Sequence, residues 1–88
     1  MPVAWIPSLM QKMTGGRTQV EIEGNSVGQV IDQLDETFPG FRVRLCTADG
    51  QLKPDIAVAV DGEVVVDGLR AAVGPHSEVH FLPALSGG

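Results

Sequence analysis

Few residues of this chain combine the types and spacing that chemistry needs. His76 and His80 stand four apart, which on a helix would set two metal ligands on one side. Pro75 and the alternating run Glu78-Val79-His80-Phe81-Leu82 place them in a turn and a strand instead. A metal there would also want a third ligand, such as Glu78 or Asp67. Both histidines read as solvated or core-edge residues, and no metal is expected. Cys46 is the only cysteine, so it can form neither an internal disulfide nor a thiolate cluster. Beside Leu45 it reads as a small buried hydrophobe, with Arg42 and Arg44 able to lower its pKa only if close in space. The acidic pairs Asp35-Glu36 and Glu21/Glu23 read as solvated faces. Thr14-Gly15-Gly16-Arg17 lacks the Lys-Ser/Thr of a phosphate loop and reads as a turn. No nucleophile, base and oxyanion donors form a set, so no catalytic residue is expected and the chain should not be an enzyme.

The carboxyl end is different. Pro83 stops a strand, and Ala84-Leu85-Ser86-Gly87-Gly88 follows. Two terminal glycines are costly to order and have no side chain to pack. They do suit one task. A backbone almost free of side chains can thread a narrow channel and present its terminal carboxylate to a buried site. Five extended residues reach ~17 Å, at ~3.4 Å each. A carboxylate is a poor electrophile at neutral pH, so a partner must activate it. Adenylation by ATP would supply the leaving group, and attack by sulfide or persulfide would leave a thiocarboxylate. Gly88 is the candidate reaction site, with Gly87, Ser86, Leu85 and Ala84 as the segment a partner would recognise.

A folded body must hold that segment out. Val3-Ala4-Trp5-Ile6 reads as a strand, followed by a mixed connection over Ser8–Met13 and the Thr14-Gly15-Gly16 turn. Val20-Glu21-Ile22-Glu23 alternates as a half-buried strand does. Ser26 and Gln29 form a capping-box pattern. Val27, Val30, Ile31, Leu34 and Phe38 then fall on one helical stripe, which Phe38-Pro39-Gly40 ends. Phe41–Leu45 fits either a turn of helix or an extended piece. Ile56–Val60, the Asp61-Gly62 turn and Glu63–Val66 read as a hairpin. Leu69–Val73 is a short connection, and Glu78–Leu82 is the last strand.

The order is therefore two strands, a helix, two strands and a final strand. One amphipathic helix cannot bury its stripe alone, so it should lie across a mixed sheet in an α+β fold. If Val20, Ile22, Ile56, Val58, Val60, Val79 and Phe81 face the helix, then Ala57, Ala59, His80 and Leu82 share the open face. They are candidates for a partner surface.

With 88 residues the chain suits one domain. The body should span residues 1–83, with 84–88 a flexible tail. The net charge of −5, with six Lys and Arg, argues against nucleic acid and anionic membrane. No window approaches a membrane span, and Pro2–Met10 lacks the basic flank of a signal peptide, so a cytoplasmic protein is expected.

These residues resemble the ubiquitin-like β-grasp proteins of the ThiS/MoaD sulfur-carrier family. The resemblance rests on Ile6-Pro7, Thr14-Gly15-Gly16, the Val27–Phe38 helix, Val60-Asp61-Gly62 and above all Leu82-Pro83-Ala84-Leu85-Ser86-Gly87-Gly88. Its Ile-Pro, Thr-Gly-Gly and Leu-Pro-Ala-x-x-Gly-Gly elements look most like the branch that feeds cysteine biosynthesis. Ser86 departs from the Gly or Ala common in the family but is still small. The resemblance implies a β-grasp sheet of four to five strands with one main helix across it. It implies a ThiF/MoeB-type adenylating enzyme acting on Gly88, then a sulfur-accepting synthase, here a pyridoxal-phosphate-dependent cysteine synthase, and a metallopeptidase that releases cysteine. ATP, pyridoxal phosphate and zinc would belong to those partners, and this chain would bind no cofactor. The family's other roles, as the small subunit of molybdopterin synthase or as a ubiquitin-like protein modifier, remain open at this point.

Overall fold

Alternation and turn chemistry divide the chain into short strands around one capped helix. The computed structural model describes residues 1–83. Strand β1 (Val3–Trp5) leads through a 3₁₀ turn (Ser8–Thr14) to β2 (Gln19–Glu21). Helices α1 (Val27–Thr37) and α2 (Phe41–Leu45) follow. Strands β3 (Ile56–Val60) and β4 (Glu63–Val64), a second 3₁₀ turn (Gly68–Arg70) and β5 (Glu78–Pro83) complete the described chain. The strands form one sheet in the order β2-β1-β5-β3-β4. The first and last strands run parallel at its centre, and every other pair is antiparallel.

Helix α1 starts where its chemistry says it should. Ser26 Oγ accepts from Gln29 N–H at 3.2 Å, and Gln29 Oε1 accepts from Asn25 N–H at 2.8 Å. Two otherwise orphaned donors are thereby satisfied. Val27, Val30, Ile31 and Leu34 are completely buried. They join Ala4, Val20, Val58, Val79 and Phe81 of the sheet in a single core cluster. The segment after β4 straps the helix start: Ala71 O accepts from Val27 N–H and Asn25 O from Val73 N–H, both at 3.0 Å.

Three local readings change, and the open one at Phe41–Leu45 is decided. Ser8–Met13 is a 3₁₀ turn that runs to Thr14, not an irregular connection. It ends on Gly15 at φ +68°, a left-handed conformation that glycine adopts without steric cost. The second and fourth strands are shorter than their alternation implied, because pairing stops at Glu21 and Val64. Phe41–Leu45 is helical. Asp35 is also not merely solvated. Its Oδ1 accepts from Gly40 N–H at 3.1 Å and Arg42 N–H at 3.0 Å, capping α2 from the previous helix. Arg42 in turn pairs with Asp32. None of these partners is a local sequence neighbour, so periodicity over five residues could not decide the segment.

The Asp61-Gly62 turn carries more than its turn type. Both residues have positive φ, +52° and +86°, as a tight two-residue hairpin requires. Asp61 Oδ1 accepts from Glu78 N–H at 2.9 Å, and Oδ2 accepts from Ser77 Oγ–H at 2.8 Å. These bonds tie the β3–β4 turn to the start of β5. They hold the Asp61 carboxyl below its ordinary 3.8, the backbone bond contributing most. A depressed carboxylate pKa stabilises the fold above the unfolded value and loses that contribution as pH falls through the folded one. Asp61→Asn keeps an acceptor and tolerates positive φ. Its melting temperature should therefore fall below that of the parent at neutral pH, and the gap should close as the pH drops below 3.8 and through the depressed folded-state pKa. Thermal melts across the acid range check this; a gap independent of pH would mean the charge is not involved.

Candidate functional site

Alternation along each strand gives the sheet two faces, and the helices cover only one. The strand registers align the other. Trp5 lies opposite His80, His80 opposite Ala59, Ala59 opposite Val64, and Leu82 opposite Ala57. The Trp5 and His80 rings stack with centroids 5.0 Å apart and planes 12° from parallel. Trp5 Nε1–H donates to Glu78 Oε1 at 2.8 Å, which pins the indole against the sheet. Leu82 is 40% exposed and Val64 62% exposed. Glu21 and Glu78, both exposed, stand on the same face. The result is a flat aromatic and aliphatic patch bearing carboxylates.

All four residues read from the sequence as the open face, Ala57, Ala59, His80 and Leu82, lie on it together. Ala59 is 6% exposed, so it keeps the patch flat rather than offering contact area. Three contributors were missed: Trp5, Val64 and Val3, which lies opposite both Glu21 and Glu78. Trp5 alternates with buried Ala4 and Ile6, a local signal that was available. Placing it beside His80 needs the parallel pairing of β1 with β5, which joins the two ends of the chain.

Strand β5 ends at Pro83, which is exposed. The expected reaction site Gly88 and the expected recognition segment Ala84, Leu85, Ser86 and Gly87 lie outside the described residues. The other candidates are accounted for structurally. Cys46 is 4% exposed. Burial pushes its thiol up, and Arg42 and Lys53 oppose that only in part, so it stays a protonated, poor nucleophile at neutral pH. The neighbour on this side is Lys53, not Arg44. His76 is exposed in a turn, while His80 is held in the stack with Trp5. Among the described residues, no three of His, Cys, Asp and Glu gather as a metal site would need. No helix among them is long and apolar enough to cross a membrane.

The body is thus a sheet-and-helix scaffold with an open sheet face, and β5 runs to Pro83, the last described residue. The ThiS family model matches residues 6–88, nearly the whole chain. The chain belongs to the ThiS family. Its relatives agree. The sulfur carrier protein CysO of Mycobacterium tuberculosis is 32% identical over 87 residues, covering 94% of both chains. The crystal structure of the Amycolatopsis orientalis BexX/CysO complex superposes with a TM-score of 0.89 at 32% identity, with both chains wholly covered. The crystal structure of Mycobacterium tuberculosis CysO also reaches 0.89, at 28% identity over 97% of this chain and all of that one. The expected β-grasp fold is therefore the observed one, with five strands and one main helix. ThiS-family proteins of this kind are small carriers, and this one likewise is not an enzyme.

Proposed function

We propose that this ThiS-family protein carries sulfur as a thiocarboxylate on Gly88. The reading rests on its end-to-end likeness to CysO, a sulfur carrier, at 32% identity with 94% of each chain covered. The chemistry follows from the group at the terminus. An adenylating partner joins the Gly88 carboxylate to AMP and releases pyrophosphate. Sulfide then adds to the acyl carbon, AMP leaves with the bonding electrons, and a thiocarboxylate remains. A second partner takes the sulfur, and we assign it to the synthesis of cysteine or a related sulfur metabolite. ATP, and any pyridoxal phosphate or zinc used downstream, are held by the ThiF/MoeB-type enzyme, the synthase and the metallopeptidase.

The test is intact mass. The chain is incubated with an adenylating enzyme, ATP and a sulfur source, then weighed. The expected result is the gain from replacing one oxygen by sulfur, located at Gly88. An unchanged mass overturns the proposal.

The open sheet face is the partner surface in this reading. Its apolar centre would lose water on docking, while Glu21 and Glu78 would meet basic groups. Ala57→Arg sets a charged side chain beside Leu82, at the apolar end of the patch. It should weaken the complex with the adenylating enzyme by about tenfold or more and leave the melting temperature near that of the parent. Trp5, the only tryptophan, reports docking through its fluorescence, so a titration reads the affinity directly. Equal affinities would remove this face from the interface.

A further inference from the structure

A second surface lies at the end of the sheet, beside the residue from which positions 84–88 depart. The first 3₁₀ turn, the end of α2, the start of β3 and the end of β5 enclose an open groove of about 480 Å³. Its floor is Met10, Leu45 and Phe81, each at most 6% exposed. Leu9 forms one wall and is 81% exposed, which is unusual for a large aliphatic residue that contributes nothing to the core. Leu82 and Pro83 also line the groove. Arg44 and Asp55 stand on the rim, both exposed and, among the described residues, without an ion-pair partner.

Three observations bear on the occupant. Pro83 lines the groove and directly precedes residues 84–88, so an enzyme that binds those residues comes close to it. Leu82 belongs to both the groove and the open sheet face, so one partner can cover both without a gap. The rim carries one charge of each sign over an apolar floor, which matches a protein segment better than a small anion or cation. We infer that this groove is a second docking site for the adenylating enzyme, taking an apolar side chain with a carboxylate opposite Arg44 and a basic group opposite Asp55. This inference rests on the proposed function. It adds that the enzyme grips the root of the segment as well as the sheet face, which fixes the direction in which the carboxylate enters.

Leu9→Glu tests it, because so exposed a position can change without disturbing the core. The assay is pyrophosphate release by the adenylating enzyme with ATP as the chain is titrated. The expected result is a KM for the chain raised about tenfold, as for loss of a buried interface anchor, with kcat within about twofold and melting unchanged. Arg44→Glu should also raise KM. A KM for Leu9→Glu within about twofold of the parent, which is itself turned over, overturns the groove alone. No pyrophosphate from the parent chain removes the proposed function and this inference together. Two further results would assign the groove to another occupant and overturn the inference. One is dimerisation of the parent that Leu9→Glu abolishes. The other is a shift of the Leu9 and Met10 methyl resonances of the free protein when residues 84–88 are deleted.

Discussion

Deleting Gly88 should abolish thiocarboxylate formation and leave the melting curve unchanged. The deletion does not remove a carboxylate; it moves it to Gly87, one residue nearer the body. One extended residue spans about 3.5 Å, and a displacement of only about 1 Å at a reacting centre can cost ~100-fold. The retracted carboxylate should therefore be adenylated at least ~100-fold more slowly at equal enzyme. Gly87→Ala and Gly88→Ala keep the length but add a Cβ, and each should impair activation less severely by crowding the channel. All three changes fall outside the described residues, among which the last member of the buried cluster is Phe81. Intact mass after a timed reaction measures the chemistry, and calorimetry measures the fold. A melting point well below the parent's would show that the segment is structural, and normal thiocarboxylate formation by the shortened chain would place the reaction elsewhere.

The opposite pattern is expected from Phe41→Ala. Phe41 opens α2, is completely buried, and is the largest of the fully buried side chains. Its ring sits 6.3 Å from that of Phe38, at the junction of the two helices. Truncating a buried Phe to Ala loses the transfer free energy of the ring and leaves a cavity, about 3–5 kcal/mol together. A domain of this size is stable by only ~5–15 kcal/mol. At about 4–8 °C per kcal/mol for a small domain, the melting temperature should fall by roughly 12–40 °C. The variant is far from Gly88 in sequence, so the fraction still folded at low temperature should be thiocarboxylated. Denaturant titration beside the mass assay separates the two effects. A loss under about 1 kcal/mol would mean that the helix junction collapses to fill the space.

These two variants mark the division between what the chain says locally and what folding adds. Helix α1 was legible because its stripe, capping pair and Pro-Gly stop agree over eleven residues. The hairpin at Asp61-Gly62 was legible because few residues tolerate paired positive φ. The helical state of Phe41–Leu45 was not, since its cap is the Asp35 carboxylate of the preceding helix. The same holds for the short lengths of β2 and β4, which depend on where a neighbouring strand stops pairing.

The functional surfaces divide in the same way. Sequence alone singled out Gly88 as the candidate reaction site on a segment of small residues, and alternation alone grouped Ala57, Ala59, His80 and Leu82. Both are local properties of the chain: residue size and the period of a strand. Tertiary structure decided that Trp5 stacks on His80, that Ala59 is too buried to offer contact area, and that Leu9 overhangs a groove beside Pro83. The stack depends on β1 lying parallel to β5, a pairing across more than seventy residues that no local pattern encodes, and the burial of Ala59 on its place between β4 and β5. The expectation on Gly88 was readable because it rests on residue size and order alone and needs no partner residue. The aromatic stack on the open face was not, because it exists only once the two ends of the chain meet at the centre of the sheet.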